Sequence, residues 1–391
     1  MQPHVSPSTS APPRRRRSPA LPVALWTRPA TEIQVSACQE RIPLPAAWLR
    51  RPMRRAVIPI FLPFQGCAVR CVFCAQDIQT GHRGSAIMGL LAAARQTLHQ
   101  RAKRQESPAE LAFYGGTFTA LPEEELTACL SMAAEALDRG WISAFRCSTR
   151  PDRLNAAILH RLRSAGCDTV ELGIQSFART ALTASRRGYG PTCARDACAL
   201  VRNADLHLGV QLLPGMPGHT PPMFLDDVAQ ALEAGAHMLR FYPCLVLEGT
   251  QLAALWRAGR YTPWPLKRTL NTLAHGWLAA NAANVPVIRM GLAPQSGLQQ
   301  AILDGPVDPA LGSRVMGRGL LLAARRALKH CHGLGQTFDL FLPEAAQGCL
   351  WGHKGELRKA WIALGLRAVH YGKEEMPAIG TISPSAILQQ P

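Results

Sequence analysis

"FLPFQGCAVRCVFCAQ", residues 61–76, sets Cys67, Cys71 and Cys74 in a CxxxCxxC run directly after an apolar, strand-like stretch. Thiolates favour soft metals, and zinc or iron-sulfur clusters are their usual occupants. A closed structural zinc site takes four protein ligands, and no second CxxC lies nearby. Three cysteines on one loop instead leave one iron of a [4Fe-4S] cluster without a protein ligand, open to a substrate or cofactor. Three inert, buried cysteines are the plain alternative. With twelve cysteines in 391 residues, chance produces this spacing with a probability on the order of 0.01.

Outward from this loop, short apolar runs alternate with helix-like stretches. "AVIPIFLPF" (56–64) precedes a helical pattern over "IMGLLAAARQTLHQRAKR", and "ELAFYGG" (110–116) precedes "PEEELTACLSMAAEALDRG". "SAFRCSTRPD" (143–152) leads into an expected helix from Arg153 to Ala165, with Asp152 as its N-cap and Gly166 as its stop. "TVELGIQSF" (169–177), "HLGVQLLPGMPG" (207–218), "HMLRFYPCLVL" (237–247) and "VPVIRMGL" (285–292) continue the series. Parallel neighbours need a crossover, so repeated βα units predict a parallel sheet. The fold class is α/β: a partial (β/α)6-type TIM barrel, with a doubly wound sheet as the alternative. After Gly291 the pattern predicts a long helix ending near His330 and then a small strand-helix-strand unit. The expected organisation is a basic tail over 1–50, a core barrel over 51–295 and a C-terminal helical and small α+β extension over 296–391.

Composition narrows the class further. A chain of 391 residues, 47% hydrophobic and with mean hydropathy near zero, can bury a large core. Charged or polar residues interrupt every apolar run before the roughly 18 residues that a membrane-spanning helix requires, so no membrane role is expected. The N-terminal "PPRRRRSPALPVALW" resembles a secretory leader superficially, but its proline content favours a tail. Scattered cysteines in a chain of this length need no disulfide framework, which fits a reducing cytoplasm. The net charge of +17 points to an anionic partner, nucleic acid first, although an Arg- and Ala-rich composition also reflects genomic bias.

In a βα fold the chemistry sits at the carboxyl ends of the strands, where the three thiols fall. Here the sequence resembles the radical S-adenosylmethionine (radical SAM) superfamily, whose hallmark is CxxxCxxC after the first strand of a partial barrel. Phe73 stands at the aromatic position placed beside the adenine. "YGGTF" (114–118), with Gly115, Gly116 and Thr117, matches the glycine motif that binds the amino group of the SAM methionine moiety. "STRPD" (148–152) sets Ser148 at a position that is acidic in the coproporphyrinogen dehydrogenase branch, and Gln175 in "ELGIQS" resembles the ribose-contacting glutamine. Arg187 in "SRRGY" (185–189) is similar to the arginine that grips the SAM carboxylate, for which a bidentate fork is suited. Gln211 in "QLLPGMPG" stands where that same branch carries an acidic ribose ligand. Singly these are weak signals; five motifs in family order over about residues 56–245 are a strong one.

Within the superfamily, "STRPD", "ELGIQSF" and "RFYPCLVLEGT" look most like the radical SAM half of the Elongator catalytic subunit and its bacterial relatives lacking an acetyltransferase domain. The resemblance implies a [4Fe-4S] cluster on Cys67, Cys71 and Cys74, reductive cleavage of SAM and hydrogen abstraction from a substrate. It also implies a one-electron donor such as flavodoxin or ferredoxin, and makes tRNA the first candidate substrate. The roughly 100 residues after the last barrel strand are too few for an acetyltransferase, and Ala68 and Gln65 replace the Pro and His that relatives carry around the first cysteine. The alternatives are a coproporphyrinogen dehydrogenase-like enzyme acting on a small molecule and a zinc-stabilised RNA-binding module. No acid or base for the substrate is assigned. Cys331, His332, Cys349 and His353 form a second metal candidate of non-standard spacing, and Arg14–Arg17, Arg50, Arg51, Arg54 and Arg55 are candidates for RNA phosphates.

Overall fold

Strands form where apolar runs can be covered on both faces, and the chain answers this with a curled, wholly parallel sheet. In the computed structural model, residues 40–44, 55–80, 86–292, 296–330, 335–372 and 379–384 are described. The runs become β2 (Val57–Phe61), β3 (Ala109–Tyr114), β4 (Ile142–Thr149), β5 (Cys167–Gln175), β6 (His207–Leu212), β7 (Met238–Phe241) and β9 (Val287–Met290). Their order in the sheet is their order in the chain, with β2 and β9 at the edges. A doubly wound fold would reverse direction at a switch point, so the partial barrel is the correct alternative. The sheet carries seven strands, one from each of the seven apolar runs read in the sequence.

Period-two alternation divides each strand between two environments. Leu111 and Phe113, Phe145 and Cys147, Val170, Leu172 and Ile174, and Leu208, Val210 and Leu212 belong to the main apolar core. Helix Ile87–Lys103 supplies Ile87, Leu91, Ala94 and Leu98 to that core, a stripe at steps of four, three and four that suits one helical face. Helix Glu123–Asp138 begins with three glutamates, favourable at the positive end of the helix dipole. The alternate strand positions carry Glu110, Tyr114, Arg146, Ser148, Glu171, Gln211 and Arg240, which bond to one another across the sheet.

One helix start differs from the sequence reading. Pro151–Arg153 form a short 3-10 turn, and the helix spans Ala156–Ser164, with Asn155 accepting the Ile158 N–H at 2.9 Å as N-cap. Asp152 is unavailable for capping because both its oxygens face Arg150 at 2.9 Å. Gly166, at φ +87°, does stop the helix.

Beyond β9, a short helix (Ser296–Ala301) and β10 (Ile302–Asp304) precede the long helix Leu311–His330. β10 pairs antiparallel with β8 (Val246–Leu247). The small unit is a four-stranded sheet ordered β1-β13-β11-β12, from Glu40–Pro43, Ile379–Pro384, Phe338–Pro343 and Leu366–Gly372. Glu40–Pro43 lies in the stretch expected to be a tail and instead pairs with β13. Arg14–Arg17, Arg50, Arg51 and Arg54 lie outside the described residues.

Glu356 fastens the long helix to this unit, accepting from Arg314 at 2.8 and 2.6 Å and from Arg318 at 2.9 Å on each oxygen. Burial alone would raise its pKa, but the Arg318 and Arg314 hydrogen bonds outweigh that and bring it to about 2. A depressed carboxylate stabilises the fold above its unfolded pKa and loses that contribution as pH falls through the folded one. Glu356→Gln is therefore expected to cost about 2 kcal/mol at neutral pH, solvent screening allowed for, and to flatten the stability profile between about pH 4.5 and 2. Denaturant titration across that range checks it; an unchanged profile would contradict the clasp.

Candidate functional site

The loop from Leu62 to Ala75 turns over the carboxyl ends of the strands and is tied down by backbone bonds to three separate segments. Thr117 N donates to Gln65 O at 2.7 Å, Leu252 N to Val72 O at 2.7 Å, and Val72 N to Ser185 O at 3.3 Å. These ties set the cysteines at one wall of a cavity of about 320 Å³. Cys67, Cys71, Phe73, Cys74, Gly115, Gly116, Ser148, Gln175, Arg187 and Gln211 all line it. Of the expected site residues only Thr117 does not: it is fully buried, and its hydroxyl lies 3.1 Å from Cys67 Sγ. Leu298, from beyond the expected barrel boundary at 295, also reaches the wall.

Each thiol has a distinct setting. Cys71 is buried, with Arg187 Nη1 at 2.9 Å and Arg150 Nη1 at 3.7 Å from its sulfur. Burial pushes the Cys74 thiol up to about 12, and the charges of Cys71 and Cys67 add to the rise while Arg187 opposes it. Three thiolates crowded together repel one another, and a cationic iron core bonded to all three removes that cost. Among the described residues no three His, Cys, Asp or Glu side chains are placed to hold a single ion. Three thiols on the wall of one cavity are a donor set that a [4Fe-4S] cluster can use. Cys349 is buried with its Sγ directed at Ala346 O at 3.2 Å, whereas His353 is exposed; Cys331 and His332 lie outside the described residues.

Glycine is required at position 116. Its φ is +59°, and a Cβ there would stand 2.2 Å from Gln65 O and 2.6 Å from Leu62 O. Gln175 holds a left-handed backbone at φ +68° without being glycine, an outlier of the kind concentrated at functional sites. Arg187 is buried and also donates to Gly173 O and, from Nε at 3.0 Å, to the Tyr189 hydroxyl. Ser148 and Gln211, expected as separate ribose contacts, bond to each other: Gln211 Nε2 donates to Ser148 Oγ at 3.1 Å and to Glu171 Oε2 at 2.9 Å.

Glu171 is the centre of a network that sequence reasoning missed. It is 1% exposed, with Arg240 Nε at 2.7 Å and Arg146 Nη1 at 3.2 Å. Arg146 also forks onto Glu110 at 2.6 Å on both oxygens, and Arg240 reaches the Tyr114 hydroxyl at 2.8 Å. Gly209 makes room for the acid, since a Cβ there would lie 2.8 Å from Glu171 Cγ. Burial and then the Glu171 charge push the Tyr114 phenol up to about 12 against Arg240 and Arg146, so it stays neutral at physiological pH. The signal was present: ions at alternating positions of otherwise apolar, doubly covered strands need buried partners. Arg70, Arg150, Arg187, Arg240 and Arg289 line the cavity; Arg150 is paired with Asp152 and Arg240 with Glu171. Arg70 and Arg289 are exposed.

The fold and this site define a radical SAM protein, and comparison with known proteins agrees. The model of the radical SAM superfamily matches residues 61–231, and that of the radical SAM C-terminal domain follows over 236–317. The chain belongs to the radical SAM superfamily and is an enzyme of that class, which sets aside the non-enzymatic zinc-module reading. It is 24% identical over 269 residues to the tRNA uridine(34) acetyltransferase of Methanocaldococcus jannaschii, covering 58% of this chain and 50% of that protein. It is 28% identical over 185 residues to Elongator complex protein 3 of Drosophila melanogaster, covering 42% and 34% respectively. The chain thus spans about half, or less, of the length of these curated relatives. The solved structure of the archaeal Methanocaldococcus infernus Elp3 with an N-terminal deletion shares the fold, with a TM-score of 0.50 at 22% identity over 66% of this chain and 61% of that one. Among the described residues no helix is long and apolar enough to cross a membrane.

Proposed function

We propose that Cys67, Cys71 and Cys74 hold a [4Fe-4S] cluster beside a SAM site and that the enzyme acts on RNA, with tRNA as the first candidate. The observation that carries the cofactor assignment is the convergence of the three thiols and the SAM-site candidates on one cavity. When bound, the cluster and SAM supply one-electron cleavage of the sulfonium and hydrogen abstraction from a substrate.

The protein's own groups prepare that site. Arg187 and Arg150 compensate thiolate charge at Cys71, and the Thr117 hydroxyl orients Cys67. Gly115 and Gly116 leave backbone open to the amine of SAM. Phe73, Ser148, Gln175 and Gln211 are the candidates for adenine and ribose. Arg187 is the candidate for the carboxylate, sharing a guanidinium that already holds Cys71. The external reductant is a one-electron donor of the flavodoxin or ferredoxin kind.

RNA is supported by the net charge of +17, by the arginine-lined wall and by relatives named for tRNA uridine 34. The test is binding of bulk tRNA to the anaerobically purified holoenzyme over a salt series, with SAM turnover followed in parallel. Affinity should fall with salt, with a log-log slope of about −0.7 to −0.9 for each phosphate neutralised, and tRNA should raise SAM consumption. Cleavage of SAM without tRNA binding or stimulation at low salt would remove RNA from the assignment and favour a small anionic substrate.

A further inference from the structure

Gln76 stands two residues after the third cysteine, outside the ligand run, yet its side chain joins the two halves of the site. Its Oε1 accepts the Phe64 N–H at 2.7 Å and the Gly116 N–H at 2.8 Å. Both donors belong to left-handed residues at φ +59°, one entering the cysteine loop and the other within the glycine turn that ends β3. We infer that Gln76 is a positioning residue that fixes the SAM-facing geometry of the Gly115–Gly116 turn relative to the cluster loop. The inference rests on the radical SAM reading of the cavity.

The physical argument runs through the peptide plane. A trans peptide is rigid, so holding the Gly116 N–H also fixes the opposed direction of the Gly115 C=O, an acceptor this turn can offer to an amine. Glycine at 116 is needed for the close approach to Gln65 O and Leu62 O, but glycine alone leaves the turn conformationally free. The neighbouring Thr117 N–H is already bonded to Gln65 O at 2.7 Å, which leaves the Gly116 N–H to be satisfied by a side chain. One carbonyl oxygen with two lone pairs meets two donors whose backbones come from segments some fifty residues apart. Removing it strands two N–H groups in the cavity wall and unlinks the turn from the cysteine loop.

The test compares Gln76→Ala and Gln76→Glu, the second retaining the carbonyl-type acceptor, in reconstituted full-length protein. Iron and sulfide per chain report the cluster. The change that SAM produces in the electron paramagnetic resonance spectrum of the reduced cluster, titrated to a Kd, reports the geometry independently of turnover. Gln76→Ala should keep the cluster and bind SAM at least tenfold more weakly, with Gln76→Glu within about threefold of wild type. If Gln76→Ala fails to fold, Gln76→Glu decides alone: SAM binding near wild type supports the role, and loss of it with a full cluster overturns it. Wild-type SAM affinity and spectral shift in Gln76→Ala would also overturn it while leaving the cofactor assignment standing. A wild type that assembles no iron and sulfide would instead overturn the cofactor assignment and this inference together.

Discussion

Cys71→Ala is expected to lose the cluster outright, with iron and sulfide falling to background and SAM cleavage falling with them, at least a hundredfold. Cys71 is the buried member of the three, and two arginines face its sulfur at 2.9 and 3.7 Å. On the proposed ligand assignment, removing the thiolate deletes one iron ligand and leaves those cations with a lost partner in a site where unpaired charge is costly. Cys349→Ala is the matched control, since that thiol is buried against Ala346 O away from the cavity and should leave cluster and cleavage intact. Elemental analysis of both variants beside wild type decides the point. A Cys71→Ala protein with a full cluster would show that the ligand assignment is wrong.

The second large effect concerns stability. Glu171→Ala takes the acid from Arg240, whose side chain is 12% exposed, and leaves Arg146 with Glu110 alone. Breaking one partner of a buried ion network costs about 3–5 kcal/mol, because the uncompensated charges remain desolvated. Glu171→Gln keeps an acceptor and should cost less, and Glu171→Leu should behave like the alanine variant despite better filling. Denaturant unfolding of the three variants measures the order. Equal, small losses in all three would mean that water screens the network and that it does not organise the barrel interior.

Legibility in the sequence followed sequence distance. The cysteine loop, the glycine turn at 115–116 and the parallel strands could be read because each is a local signal: a spacing, a turn residue, a run of apolar side chains. Register and crossover rules then left few ways to assemble the strands. The Glu171 network could not be read in the same way, since its partners lie 25 and 69 residues away on β4 and β7. Its members did advertise themselves as ions within apolar strands, but pairing them needs the strand order. The Gln76 bond to Gly116 spans 40 residues and carries no composition signal at all. Asp152 misled because a good capping residue next to Arg150 found a charged partner instead, and the cap passed to Asn155. β1 was missed because its partner strand, β13, lies at the other end of the chain.

The geometry also separates what the three thiols need from what the substrate needs. The three cysteines, glycine turn and Gln76 come from β2, β3 and the loop between them and the first helices, held by bonds near 2.7–2.8 Å. The exposed cations Arg70 and Arg289 stand on segments at the two edges of the curled sheet, following β2 and within β9. On the proposed function, the early strands would grip the cofactor and an anionic substrate would be met from both edges.

The most direct measurement is 5'-deoxyadenosine formed from SAM by anaerobically purified, cluster-reconstituted and chemically reduced protein, with Cys71→Ala alongside and bulk tRNA present or absent. The account predicts product from the wild type, none above background from the variant, and more product with tRNA. No product from a wild type with verified iron and sulfide, with tRNA supplied, would contradict the claim that this cavity cleaves SAM.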